Sequence, residues 1–338
     1  MVHTVADTLR LLLSLFPVSV FLGSLIYLDS YQLLPLRSIL RAILYGCLAA
    51  LVAYAINRVL MQQLDRQFVM RYAAPFAEEV MKALPLFLLL RARRIGFLVD
   101  AAIVGFAIGA GFALVENLYY LAALDDAPWS LWIVRGFGTA VMHGGTTAIL
   151  AVIAKSLSDR KQREDVAILL PGLAAAFAIH SFFNHFVIAP ILSAALVLLI
   201  LPPLLLLVFI ESERYLRQWL GSGFDLGADL LAAMHSGEFK TTHVGEYLQS
   251  VREHFPGEVV ADMLCYVRIH TELALRAKGI LMLRETGFAV KMDEEIAAKL
   301  LELRYLRKSI GKTGQLAIAP ILHSSSRDVW QLTLLESK

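Results

Sequence analysis

The segment Glu78-Glu79-Val80-Met81-Lys82 places two carboxylates and an ammonium inside an otherwise apolar run from Pro75 to Leu90. On a helix Lys82 lies four residues from Glu78 and three from Glu79, so it can bridge one or both. Two adjacent carboxylates in a low-dielectric site cannot both ionise cheaply; a neighbouring lysine lets one stay charged while the other holds its proton. That division suits a general base and acid, whereas a purely structural ion pair would need only one glutamate. Further along, Glu116 precedes Asn117, His143 precedes Gly144 and Gly145, and His180 stands one helical turn before Asn184. Carboxylates, imidazoles and an amide suit hydrolysis of an amide bond: a glutamate activates water, a histidine carries a proton, and His180 with Asn184 stabilises the oxyanion. The set also suits zinc, because Glu116, His143 and His180 are ordinary ligands that leave a position for water. Residue types alone leave both routes open. A serine or cysteine nucleophile is not expected: there is no Gly-x-Ser-x-Gly elbow and neither cysteine approaches this layer; the zinc motif His-Glu-x-x-His is absent too. Cys47 and Cys265 lack metal-ligand spacing.

These residues must be carried by membrane helices. The 338-residue chain is 58% hydrophobic and 18% charged, with mean hydropathy +0.64, and long apolar runs of this kind read as spans. Its net charge of +2 is uninformative about nucleic acid or acidic substrates, and any basic effect must be local; no nucleic acid is expected as a partner. Seven runs are long enough to cross a bilayer: Leu9–Leu28, Ile39–Leu60, Ala73–Leu90, Gly96–Leu124, Trp129–Ser156, Val166–Val187 and Ile191–Glu211. The first has no basic flank or cleavage site and reads as a retained helix. Met61–Tyr72 is amphipathic and suits the membrane interface. Three charges in the third run cost about 7 kcal/mol or more on insertion scales, while its strong apolar residues recover about 5 kcal/mol at most. That helix must line a protein interior or a hydrated cavity, where an ionisable residue signals function.

Basic residues orient the bundle. Arg91, Arg93 and Arg94 follow the third run, Arg160, Lys161 and Arg163 the fifth, and Arg214 and Arg217 the seventh. The loops after the fourth and sixth have none, and the former carries Asp125 and Asp126. Despite Arg58, Arg66 and Arg71, the positive-inside rule predicts a cell-membrane protein with its N-terminus outside and its C-terminus in the cytoplasm. At 1.5 Å per residue, Glu78, Glu79, Glu116 and His180 all fall roughly 8–12 Å below the outer ends of their helices, with His143 deeper at roughly 16–21 Å. Helices running in alternating directions thus deliver polar groups to one layer. Beyond Ser212 charges become frequent, and Val259–Lys278 and Asp293–Ser309 show helical periodicity. The expected organisation is an all-α polytopic membrane bundle over residues 1–211 and a helical cytoplasmic domain over 212–338, with Gly221-Ser222-Gly223 as linker. Gly311-Lys312-Thr313 lacks the upstream glycine of a phosphate loop.

The four clusters, in this order on successive helices, resemble the PrsW family of bacterial intramembrane proteases. Glu78-Glu79-Val80-Met81-Lys82 is similar to its EExxK motif, Phe112-x-x-x-Glu116-Asn117 to its second, His143 to its third and His180-x-x-x-Asn184 to its fourth. The resemblance covers Pro75 to His185. It implies a peptidase of a superfamily that includes the type II CAAX prenyl endopeptidases and the scaffold subunit of gamma-secretase. It also implies a single-span or membrane-anchored protein substrate, such as an anti-sigma factor, cut near the extracytoplasmic face. The CAAX-type relatives end the second motif in histidine, where this chain has Glu116, and some relatives have aspartate where it has Asn184. Two other readings follow from the same residues. A proton- or ion-coupled transporter would use buried carboxylates as a relay but calls for internal repeats, of which the sequence shows none. A non-catalytic scaffold would tolerate Glu79→Gln.

Overall fold

The computed structural model describes residues 5–31, 33–124, 127–161, 165–286, 288, 294–322, 331–332 and 334–335. Asp125, Asp126, Arg163 and Asp293, used above, lie outside the described residues. All regular structure among the described residues is helical. The elements are α1 (Val5–Leu28), α2 (Leu36–Gln63), the single turn α3 (Arg66–Phe68), α4 (Ala74–Arg91), α5 (Leu98–Ala123), α6 (Trp129–Ile133), α7 (Val141–Lys161), α8 (Leu170–Asn184), α9 (Pro190–Ser236), α10 (His243–Val251), α11 (Gly257–Glu285), α12 (Glu294–Ser309) and α13 (Gly311–Ile318). Two π-helical turns, Val69–Ala73 and Val134–Ala140, lead into α4 and α7.

Six of these segments are long and apolar enough to cross a membrane. The seventh expected crossing is α4, an 18-residue helix whose Glu78, Glu79 and Lys82 keep it out of that group. Its charged side faces inward: Glu79, Lys82, Ala83, Leu86 and Leu90 are buried along one helical face. Met61–Tyr72, expected at the interface, forms the end of α2, α3 and most of the first π turn.

The chain divides into two compact units, Met1–Glu213 and Arg214–Lys338. In the first, α5 is the central helix, with 78% of its apolar window buried. Its glycines face two ways. A Cβ at Gly109 would collide with the His143 carbonyl, and one at Gly111 with the Ile43 carbonyl, so these positions let the backbones of α7 and α2 approach closely. Gly111→Ala is therefore expected to destabilise the bundle by about 1–3 kcal/mol, measured by thermal unfolding in detergent. Gly23→Ala, with nothing within 4 Å of the new Cβ, is the control. Equal melting of the two variants would refute this account of the α2–α5 crossing.

In the second unit α11 packs Ile269, Leu273, Ala277 and Ile280 against Ile296, Leu303 and Leu306 of α12. Lys299–Glu272 (2.5 Å) and Arg276–Glu295 (2.6 Å) join the same two helices. Gly221, Ser222 and Gly223 are not a loop: their backbone continues α9. Glycine costs only about 1 kcal/mol in a helix interior, too little to break one flanked by good helix formers.

Candidate active site

Six helices and the second π turn bring the polar residues into one connected chain of contacts. Beginning at α2, Asn57 Nδ2 donates to Glu78 Oε1 at 2.9 Å. Glu78 Oε2 lies 3.7 Å from His180 Nε2. The other nitrogen of that ring, Nδ1, meets Glu79 Oε1 at 2.8 Å. Lys82 Nζ donates to Glu79 Oε1 at 2.6 Å and lies 3.1 Å from His143 Nδ1. His143 Nε2 meets Glu116 Oε2 at 3.0 Å. Arg135 Nη2 pairs with Glu116 Oε2 at 3.3 Å, and its Nε donates to Asn117 Oδ1 at 2.8 Å. Asn117 Nδ2 ends the chain on the Ser14 carbonyl at 3.1 Å.

The contacts assign the ring protons. A lysine ammonium only donates, so in this arrangement His143 Nδ1 accepts from Lys82 and its Nε2 proton is directed at Glu116; for the ring to hold a metal through Nδ1, Lys82 would have to turn to Glu79 alone. Glu79 takes the His180 Nδ1 proton, which leaves the Nε2 lone pair facing Glu78. Glu79, Lys82, His143 and His180 are at most 2% exposed, so water competes for few of these bonds. Phe112 closes one side: Lys82 Nζ lies 5.0 Å from its ring centre, as does the His143 ring.

Local structure explains the convergence. Gly105, Gly109 and Glu116 recur on one face of α5, and the close approach at Gly109 seats α7 so that His143 lies against Glu116. The π turn Val134–Ala140 winds extra residues into the helix before α7. Counting 1.5 Å per residue from Trp129 therefore overstates the depth of His143, and the same turn carries Arg135 inward. Of the seven residues expected at the site, six are connected by these contacts. Asn184, the seventh, donates to the Met70 carbonyl at 3.2 Å and ties α8 to the first π turn, as Ser181 does through the Arg71 carbonyl at 2.6 Å. His185 packs edge-on to Tyr72 and meets its hydroxyl at 3.0 Å.

The sequence reading passed over Asn57, Arg135 and Thr146, whose Oγ1 lies 3.4 Å from Glu79 Oε1. For Arg135 a signal existed, since a charge inside an apolar run obeys the rule that marked Glu78. Asn57 and Thr146 are ordinary in their context. Arg135 is 6% exposed and stacks 3.8 Å above Tyr120, so its guanidinium bridges Glu116 and Asn117 with a planar fork that lysine cannot reproduce. Arg135→Lys is expected to lower turnover about 10–100-fold, the usual effect of losing a partner that orients a reacting group. Steady-state kinetics on a cleavable substrate would check this, and an unchanged rate would remove Arg135 from the site.

A family model described as PrsW family intramembrane metalloprotease matches residues 34–210, just over half the chain. The chain belongs to the PrsW family. Searches of the curated proteins and of the solved structures found no match. The match to the PrsW family takes in every side chain of the contact chain, from Asn57 to His180, leaves out only the Ser14 carbonyl at its end, and stops short of the second unit. With six helices able to span a bilayer, this PrsW-family member is a multi-pass membrane protein and a peptidase by family.

The family description includes a metal, and the residues fit one. Glu78, His143 and His180 each offer a ligand atom within 4.8 Å of the others. A carboxylate with two imidazoles is a common zinc donor set. The Glu79 contact on His180 Nδ1 is the outer partner that orients a metal-binding imidazole. The gathered trio contains Glu78 where the sequence reading placed Glu116; Glu116 is instead held by Arg135 and His143.

Proposed function

We propose that the chain is an intramembrane endopeptidase that hydrolyses a peptide bond in a single-span or membrane-anchored protein of the anti-sigma-factor kind. The observation that carries this reading is the buried chain of carboxylate and imidazole contacts from Glu78 to Glu116. It also leaves one carboxylate accessible: the Glu116 side chain is 24% exposed, Glu78 13% and Glu79 0%.

In this reading Glu78, His143 and His180 would hold a zinc ion. When bound, it polarises the scissile carbonyl and acidifies a coordinated water. Glu79 and Lys82 fix the two imidazoles. Glu116, paired with Arg135, takes a proton from the attacking water and delivers it to the leaving amine nitrogen. The water oxygen ends on the acyl carbon, and the carbon–nitrogen bond breaks. The basic residues after α4 and at the end of α7 support a cell-membrane orientation with residues 214–338 in the cytoplasm.

The test is reconstitution in liposomes with single-span substrates, with products identified by mass spectrometry. Wild-type protein is expected to yield two fragments cut inside or at the edge of the apolar segment, and Glu78→Ala and His180→Ala to yield none. Cleavage undiminished in those variants would overturn the proposal. So would proton or ion flux across the vesicle with every substrate left whole.

A further inference from the structure

The geometry points to a specificity pocket: the apolar cavity between α7, α8 and α9 receives one large apolar side chain of the substrate, beside the scissile bond. This rests on the protease reading above and adds the substrate class. The cavity measures about 250 Å³ and is lined almost wholly by apolar atoms. An apolar cavity of about 150 Å³ already accepts benzene, so this one has room for a leucine or phenylalanine side chain.

Its position links it to the chemistry. Thr146 lines the cavity and reaches to 3.4 Å from Glu79 Oε1. Met142 precedes His143 in the chain, and Ile179 and Phe183 flank His180 on α8; all three line the cavity too. A side chain seated here holds its own backbone next to the carboxylates. The far wall comes from α9, only 17% of whose apolar window is buried, the lowest share among the six spans. There Ile200 and Leu204, 60% and 40% exposed, border the opening, so a segment lying in the membrane can reach the cavity sideways. Thr146, between the cavity and Glu79 Oε1, is a point where a peptide backbone can hydrogen-bond and an acyl chain cannot, which favours a peptide over a lipid tail.

The experiment uses the full-length protein and fluorescently tagged single-span peptides that differ at one position: Gly, Ala, Leu or Phe. Binding is followed by anisotropy and the cut site by mass spectrometry. Wild-type protein is expected to bind the Leu and Phe peptides at least about 10-fold more tightly than the Gly peptide and to cut beside that residue. Ile200→Trp, which fills the cavity, should erase the preference. Leu204→Ala, which enlarges it, should shift the preference toward Phe. Equal binding of all four peptides, or a preference that survives Ile200→Trp, overturns the pocket. So does a co-purifying phospholipid that Ile200→Trp expels without altering peptide preference. Preferential binding without any cleavage would leave the pocket standing and remove the protease reading. Cleavage without preference would do the reverse.

Discussion

Glu116→Gln is expected to slow substrate cleavage about 10²–10⁴-fold, the range for removing a general base, without changing the amount of bound metal. Glutamine keeps the size but removes the counter-charge 3.3 Å from Arg135 Nη2, so some loss of stability accompanies the change and rates are compared on protein shown to be folded by its thermal unfolding. What disappears is the group that takes the proton from water. Glu78→Gln and His180→Ala should give an equally large loss for a different reason. They belong to the trio whose ligand atoms lie within 4.8 Å of one another, so the purified variants should contain less zinc by elemental analysis. Reading activity and metal content together separates the two roles. Unimpaired cleavage by Glu116→Gln would move the base to another residue. Metal loss in that variant would return Glu116 to the ligand set.

The second large effect concerns stability. Lys82 and Glu79 form a 2.6 Å ion pair with both side chains 0% exposed. Removing one member of such a pair strands a charge in the interior and costs about 3–5 kcal/mol. Lys82→Met should therefore lower the melting temperature in detergent by several degrees or more. The double variant Glu79→Gln with Lys82→Met should recover much of that loss, because no unpaired charge remains, yet stay inactive because His180 and His143 lose their shared anchor. A double variant no more stable than Lys82→Met alone would show that the pair is not the source of the effect. Glu79 also touches His180 and Thr146, so the two substitutions are expected to be strongly non-additive.

Much of this was legible along the chain. Apolar run lengths located the helices to within about five residues, because a bilayer imposes a minimum length on any crossing helix; the exception is α9, which continues well past Glu211 to Ser236. Charges at Glu78, Glu79 and Lys82 marked α4 as a helix that must face protein, since lipid would not take them. The family motifs and helix ends placed Glu116 and His180 in one layer. Other features were missed for identifiable reasons. Arg135 went unremarked although its type and place carried the same warning as Glu78. Gly221 to Gly223 suggested a break that the helical backbone of α9 overrides.

What sequence alone determined is which residues of an unbroken α-helix share a face and how deep they lie, because both follow from its constant rise and twist; His143, beyond a π turn, escaped that rule. Only the tertiary structure decided the partners: Glu79 with His180, Lys82 with His143, Glu116 with Arg135 and Glu78 with Asn57. Those pairings depend on how each helix is rotated about its own axis. That rotation is set by glycine contacts between α2, α5 and α7, and by a π turn that shifts the phase of everything after Val134. No window along a single helix contains that information.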